Sequence, residues 1–182
     1  GLLAEVRAMI PRIEESGAQE LLTDFLEAQL LIAGEQWRAA LNVLTPLSTM
    51  ELNTALDRRV ALLRSRCLQK LEIPDSAVSL FADQIQNDPL WIEGRTELAR
   101  AMLSSGQMQR AIDEYRRIVT APGVAENLAR LLLIQQSSLP AERRDVREAE
   151  RMIGLIPDES AAERSMLTAE LQLLRGRTLA QK

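Results

Sequence analysis

The sequence contains no histidine and only one cysteine, Cys67. Without histidine there is no His-based catalytic triad, no imidazole general base and no His-ligated metal. A single thiol excludes an internal disulfide and a cysteine zinc site, and it leaves the compartment open. Neither a metal nor a cofactor is therefore expected.

Aromatic residues and basic charge are also scarce. Aromatics make up 3% of the chain, and the formal net charge is −4. Phosphate binding requires a basic excess, so nucleic acid is not expected as a partner. No apolar run approaches the roughly 20 residues that span a bilayer, so membrane insertion is not expected either.

Leucine and alanine are abundant, with 31 and 23 copies among 182 residues. Both are strong helix formers, whereas strands favour β-branched and aromatic residues. The sequence therefore predicts an all-α protein of short amphipathic helices joined by short turns. The predicted helices are 2–16, 19–34, 37–48, 52–71, 75–86, 90–104, 107–120, 124–137, 142–155 and 160–176.

Small and large residues recur at a regular interval. A small residue lies near the start of each predicted second helix of a hairpin, at Ala40, Ala77, Ala111 and Ala149. Successive alanines are roughly 34–38 residues apart, which is close to the period of helical-repeat proteins. Small residues allow two helices to approach closely, and a larger residue fills the gap to the next hairpin. Four residues after each alanine the sequence has Leu44, Phe81, Tyr115 and Ile153. Small residues at comparable depth in the first helices are Ala28, Ser65 and Ala99.

This pattern resembles the tetratricopeptide repeat (TPR) family, whose unit is a helix–turn–helix of about 34 residues. The best unit covers 90–123 and matches through Leu98, Ala99, Met102, Gly106, Ala111 and Tyr115. The resemblance implies a right-handed superhelical α-solenoid of antiparallel hairpins. Other helical-hairpin solenoids share the same stacking physics. The expected single array consists of an N-terminal helix at 1–18, repeats at about 21–51, 58–89, 90–123 and 124–157, and an incomplete repeat at 160–182.

The last predicted helix ends at Gly176 and has no second helix, so the chain is expected to be a fragment of a longer protein. An unpaired half-hairpin exposes an apolar face. Here that face is expected to include Leu167, Leu171 and Leu174, and it predicts a dimer through the incomplete repeat.

TPR proteins typically bind peptides or partner helices in the concave groove lined by their first helices. The resemblance places three sets of side chains in that groove. They are Phe25 and Gln29 (with Leu22 and Ile32 beside them), then Arg59, Leu62, Arg66, Gln69 and Lys70, and then Thr96 and Arg100. The second set is basic, since residues 52–71 hold five cations and one acid. Arginine pairs bidentately with carboxylates, so this strip could hold an acidic peptide.

Each candidate has a structural alternative. The basic strip could be a solvated face, and the asparagines of a TPR carboxylate clamp are missing from it. Phe25 and Ile32 could form a pocket for a partner helix or pack against the helix at 2–16. Trp37 matches a core position, Trp91 is either packed or exposed as a contact anchor, and Cys67 fits a packed small hydrophobe.

Catalysis is not expected, because no phosphate loop, nucleophile elbow or metal spacing occurs. The predicted function is a non-catalytic protein–protein interaction module. Two alternatives remain: a structural spacer or self-assembly module within a larger protein, and a ligand-sensing regulatory domain.

Overall fold

A computed structural model describes residues 20–48 and 54–180 of the chain. These residues form nine α-helices and two short 3-10 turns, with no strand among them. The all-α prediction is confirmed, while the predicted helix at 2–16 lies outside the described residues. The helices are α1 (Glu20–Ala33), α2 (Trp37–Leu47), α3 (Thr54–Lys70), α4 (Pro74–Asn87), α5 (Ile92–Ser104), α6 (Met108–Arg117), α7 (Val124–Ser137), α8 (Arg147–Gly154) and α9 (Ala161–Ala180).

The chain divides into two compact units, and the division falls between Ser105 and Gly106. In the first unit each helix from α1 to α5 packs on the next, and α3 also contacts α5. Apolar side chains of α1, α2 and α3 form one contiguous buried cluster. Its buried members are Phe25, Ala28, Ile32, Ala40, Leu44, Leu47, Val60 and Cys67.

In the second unit α7 packs against α6 and α8, and α9 packs against α7 and α8. The long helix α9 buries Leu167, Leu171 and Leu174. These three leucines belong to the core, so the prediction that they form an exposed apolar face is wrong. Their spacing marks the packed side of the helix, and periodicity alone does not show whether a neighbour covers that side.

The recurring small and large residues are all buried. The four alanines near the second-helix starts have almost no exposed surface, and so do Ser65 and Ala99. The larger residues four positions later are buried as well, which agrees with close helix approach at these points.

The turns preceding three of these helices share one backbone feature. Glu35, Glu72 and Gly106 have positive φ angles of 57°, 58° and 74°. Each lies five positions before a recurring alanine, so the left-handed residue repeats at the same intervals as the alanines. In the first two turns, backbone bonds of the Schellman type close the preceding helix, with Gln36 N–H donating to Leu31 O and Ile73 N–H to Leu68 O. Glu35 therefore takes the left-handed place that glycine fills at Gly106, although the sequence offers Gly34 one position earlier.

Several helix ends differ from the predictions. Helix α5 begins at Ile92 rather than at 90, with Trp91 at its N-cap and no side-chain cap. The Asp88 carboxylate accepts a hydrogen bond from Arg58. Only residues 147–154 of the predicted helix at 142–155 are α-helical, after a 3-10 turn at 141–143.

Helix α9 continues through Gly176 to Ala180, so the turn predicted at Gly176 is wrong. Its last turn is held from outside, since Arg144 Nη1 donates to Thr178 Oγ1 at 3.2 Å.

Candidate functional site

Helix α3 presents three exposed cations on one face. Arg59, Arg66 and Lys70 are all exposed, and their positions fall within about 40° around the helix axis at 100° per residue. They extend over about 16 Å at 1.5 Å per residue. The opposite face is anchored by buried Val60, Ala61, Cys67 and Leu68. Arg59, Arg66 and Lys70 are called the cationic face below.

Two members of the cationic face lie over the same indole ring. The Arg66 guanidinium is 5.9 Å from the ring centroid of Trp37, and the Lys70 Nζ is 5.8 Å from it. Trp37 is the first residue of α2 and is half-buried. Cation–π attraction at such distances contributes about 0.5–1 kcal/mol at exposed sites. Trp37 therefore holds the C-terminal half of the cationic face in place.

The cationic face has no acidic counterpart among the described residues. No carboxylate there lies within 4.0 Å of the charged nitrogens of Arg59, Arg66 or Lys70. The neighbouring Arg58 differs, because its Nε donates to Asp88 Oδ2 at 2.7 Å and its guanidinium lies 5.9 Å from the Trp91 centroid. One cation of α3 thus has a structural role in joining α3 to the segment after α4.

Trp91 is packed rather than exposed. Its side chain is 4% exposed, and its ring centroid is 5.8 Å from that of Phe81. The first turn of α5 passes so close to the indole that only glycine fits at position 94. Of the two interpretations of Trp91, the structure favours core packing.

The other predicted groove residues on α1 and α3 have mixed positions. Phe25 lies in the core cluster together with Ile32, so the apolar pocket predicted from Leu22, Phe25 and Ile32 does not form. Only Leu22 of those three is exposed. Gln29 and Leu62 are half-buried. Gln69 is exposed, and its Nε2 donates to Ser65 Oγ at 3.3 Å.

The candidates on α5 add little positive charge to the cationic face. Arg100 forms an ion pair with Glu97 on the same helix. Thr96 is half-buried, and its hydroxyl donates to Ile92 O at 3.1 Å. Helices α3 and α5 are in contact, yet the Arg100 charge is compensated locally, unlike that of Arg59.

Burial shifts the pKa of two titratable groups on α3, Arg64 and Cys67. It lowers the pKa of the Arg64 guanidinium, whose Nε has no hydrogen-bond partner among the described residues. Burial also raises the pKa of the Cys67 thiol, and this effect outweighs the opposite influence of Arg66. Cys67 is therefore a packed thiol with little thiolate character, as the packing interpretation predicts.

Sequence reasoning identified the cationic face but missed its contact with Trp37. Trp37 and Arg66 lie on different helices and far apart along the chain. A tryptophan in one helix does not indicate which arginine of another helix will contact it. The available signal was the predicted repeat, since stacked hairpins would bring a second-helix start beside the next first helix.

The described part of the chain holds neither a membrane-spanning helix nor a metal-binding cluster. In residues 20–48 and 54–180, no helix combines the length and apolarity needed to cross a membrane. Those same ranges hold no cluster of three or more cysteine, aspartate or glutamate residues that could bind a metal ion.

In comparisons with known proteins, no family model, no curated protein and no solved structure matches this chain. The resemblance to TPR proteins therefore depends on the residues and spacings given above.

Proposed function

We propose that this chain is a non-catalytic protein-interaction module whose cationic face binds an acidic segment of a partner protein. Its helices would pair as hairpins of a right-handed superhelical, TPR-like array. The recurrence of a left-handed residue five positions before a buried alanine supports the repeat. The same geometry at Glu35 and Glu72 supports it particularly well, because glutamate seldom adopts positive φ without a structural requirement.

The observation that carries the proposal is the unpaired charge on α3. Arg59, Arg66 and Lys70 point away from the core and have no carboxylate partner among the described residues. The clustering of like charges without counter-ions is unfavourable for the isolated chain. A partner carboxylate would relieve that repulsion and gain charge-assisted hydrogen bonds from the guanidinium groups.

The spacing of the three cations limits the partner sequence. Arg59 and Arg66 are about 10 Å apart along the helix axis, and Arg66 and Lys70 about 6 Å. An extended peptide rises about 3.3 Å per residue. Because successive side chains of an extended peptide point to opposite sides, the best-matched partner is a continuous acidic run of about six residues, which presents carboxylates at both distances.

Trp37 provides the readout for a direct test. A ligand carboxylate that draws Arg66 and Lys70 from the indole changes the environment of Trp37 and hence its fluorescence. We would titrate the protein with an extended ten-residue peptide carrying Glu at each of positions 3 to 8. The control peptide has Gln at those positions. We expect saturable binding of the Glu peptide by calorimetry, together with a Trp37 signal that is absent from Trp37→Phe.

Matched charge variants separate the cationic face from the general charge of the protein. Arg59→Glu/Arg66→Glu is expected to abolish binding, whereas Arg110→Glu/Arg143→Glu changes the net charge equally at other exposed positions and should retain it. Equal loss in both double variants, or equal binding of the Glu and Gln peptides, would refute the proposal. Binding should also weaken as salt increases, because exposed charges are screened.

A further inference from the structure

A regular stripe of residues runs along the exposed side of α9. Its members repeat at intervals of four and three positions, which keeps them within about 40° of one line along the helix. All five are exposed, including Leu173 at 62% and Met166 at 45%. The stripe, called the seam below, consists of Met166, Glu170, Leu173, Arg177 and Ala180.

The seam borders a shallow groove between α9 and α7. The groove is lined on the α7 side by Leu133, Ile134 and Ser137, and Ile134 is itself exposed. Leu173 lines the α9 side of this groove together with Glu170 and Arg177 of the seam.

The two charges of the seam have no ionic partner among the described residues. Glu170 and Arg177 are two helical turns apart, about 10 Å along the axis, which is too far for an ion pair with each other. The remaining charges of α9 behave differently. Arg164 pairs with Asp158, Arg175 pairs with Glu150, and Glu163 pairs with Arg130.

We infer that the seam is the contact surface for a second copy of this chain, with the two α9 helices antiparallel about a two-fold axis at Leu173. In that arrangement Leu173 meets Leu173 of the second copy. Glu170 meets Arg177 on one side of the axis, and Arg177 meets Glu170 on the other. Met166 meets Ala180 at both ends. The seam is thus complementary to itself in charge and in apolar contact, as an isologous interface requires.

The size of the seam sets the expected strength of association. One pair of antiparallel helices covers less than the roughly 1,200 Å² of total surface that stable interfaces bury. The dimer should therefore be weak and depend on protein concentration. The inference is independent of the cationic face, because it uses only α9 and the groove beside it.

The test uses sedimentation velocity of the full chain over a concentration series. Wild type should show a weight-average sedimentation coefficient that rises with concentration. Glu170→Arg and Arg177→Glu each place like charges opposite each other and should each weaken self-association at least tenfold. Arg110→Glu on α6 is the matched control and should associate as wild type does.

Mixing the two single variants gives the decisive result. The Glu170→Arg chain carries two arginines in its seam, and the Arg177→Glu chain carries two glutamates. The heterodimer pairs an arginine of one chain with a glutamate of the other on both sides of the two-fold axis. The mixture should therefore associate more strongly than either variant alone. A wild type that stays monomeric at all concentrations would overturn the inference, as would single variants that associate like wild type or a mixture that gains nothing.

Discussion

Helices α3 and α9 differ in how many of their charged side chains form ion pairs within the fold. Helix α3 has 17 residues with five cations and one acid, and among the described residues only Arg58 of those cations has a carboxylate partner. Helix α9 has 20 residues, and three of its charged side chains pair with other segments of the second unit. Three of the five charged side chains of α9 join neighbouring segments of the second unit, whereas three of the five cations of α3 are exposed and have no carboxylate partner among the described residues.

This contrast separates charges that stabilise the fold from charges that we propose bind a partner. A pair such as Arg116–Glu148, with Nη2 and Oε2 at 2.6 Å, fixes one helix against another within the second unit. The cationic face gives the first unit no such contact apart from the indole of Trp37.

The largest effect is expected from the packed side of α9. Leu167→Ala should destabilise the protein by about 2–5 kcal/mol, because Leu167 is fully buried and truncation leaves a cavity. Leu173→Ala on the seam should change the free energy of unfolding by less than about 0.5 kcal/mol. Urea denaturation at low protein concentration measures both, and equal costs would show that the two sides of α9 are not distinct.

Replacing a glycine by alanine should change the free energy of unfolding in opposite directions in the two units. Gly94→Ala in α5 places a methyl group against the Trp91 indole and should cost about 1–3 kcal/mol. Gly176→Ala in α9 meets no neighbouring atom and should stabilise by roughly 0.5–1 kcal/mol, because alanine is the better helix former. Thermal unfolding of both variants beside wild type tests this, and destabilisation by Gly176→Ala would contradict the helical state of that residue.

Truncating an arginine that forms an ion pair should change the free energy of unfolding differently from truncating one that has no carboxylate partner among the described residues. Arg175→Ala removes the pair with Glu150 and should cost about 0.2–1 kcal/mol. Arg59→Ala removes a cation with no carboxylate partner among the described residues. It should leave the free energy of unfolding unchanged or raise it slightly, because repulsion within α3 falls. A loss of stability in Arg59→Ala equal to that in Arg175→Ala would assign Arg59 a structural role.

The smallest effect is a pH dependence that belongs to the second unit. The side-chain hydrogen bond from Arg116 lowers the pKa of Glu148 below its ordinary value of 4.5. Because the folded state favours the ionised carboxylate, this stabilisation is present above that value and is lost as the pH falls through the lower folded pKa. Arg116→Ala should therefore lose less stability on acidification below about pH 4.5 than wild type does. Urea midpoints across that range measure the difference, and parallel curves would contradict it.

Much of the helical architecture could be predicted from the sequence. Leucine and alanine content and apolar periodicity identify all nine described helices, and the recurring residues from Ala40 to Ala149 are packed as the pattern predicts. Such features are local or depend on one face of one helix, so the chain carries them directly. The cationic face is also visible, because Arg59, Arg66 and Lys70 share one helix.

The candidate site is harder to predict wherever it requires contacts between distant residues. The repeat register gives Phe25 a groove position, yet neighbouring helices cover it. Arg100 looks equivalent to Arg59 in the sequence, but Glu97 on the same helix compensates its charge. Asp88 before Pro89 has the chemistry of a helix cap, but in the structure its carboxylate accepts a hydrogen bond from Arg58 and no side chain caps α5.

The sequence by itself determined the all-helical fold, the helix spacing and the positions of small and large residues, because intrinsic propensity and periodicity act within a few neighbouring residues. Only the tertiary structure decided which charges are paired, which indole holds Arg66 and Lys70, and that α9 continues through Gly176. Most of those outcomes depend on side chains that come from different helices and are far apart along the chain. Such contacts form only when the helices pack, so the local preferences of glycine, aspartate and glutamate do not predict them.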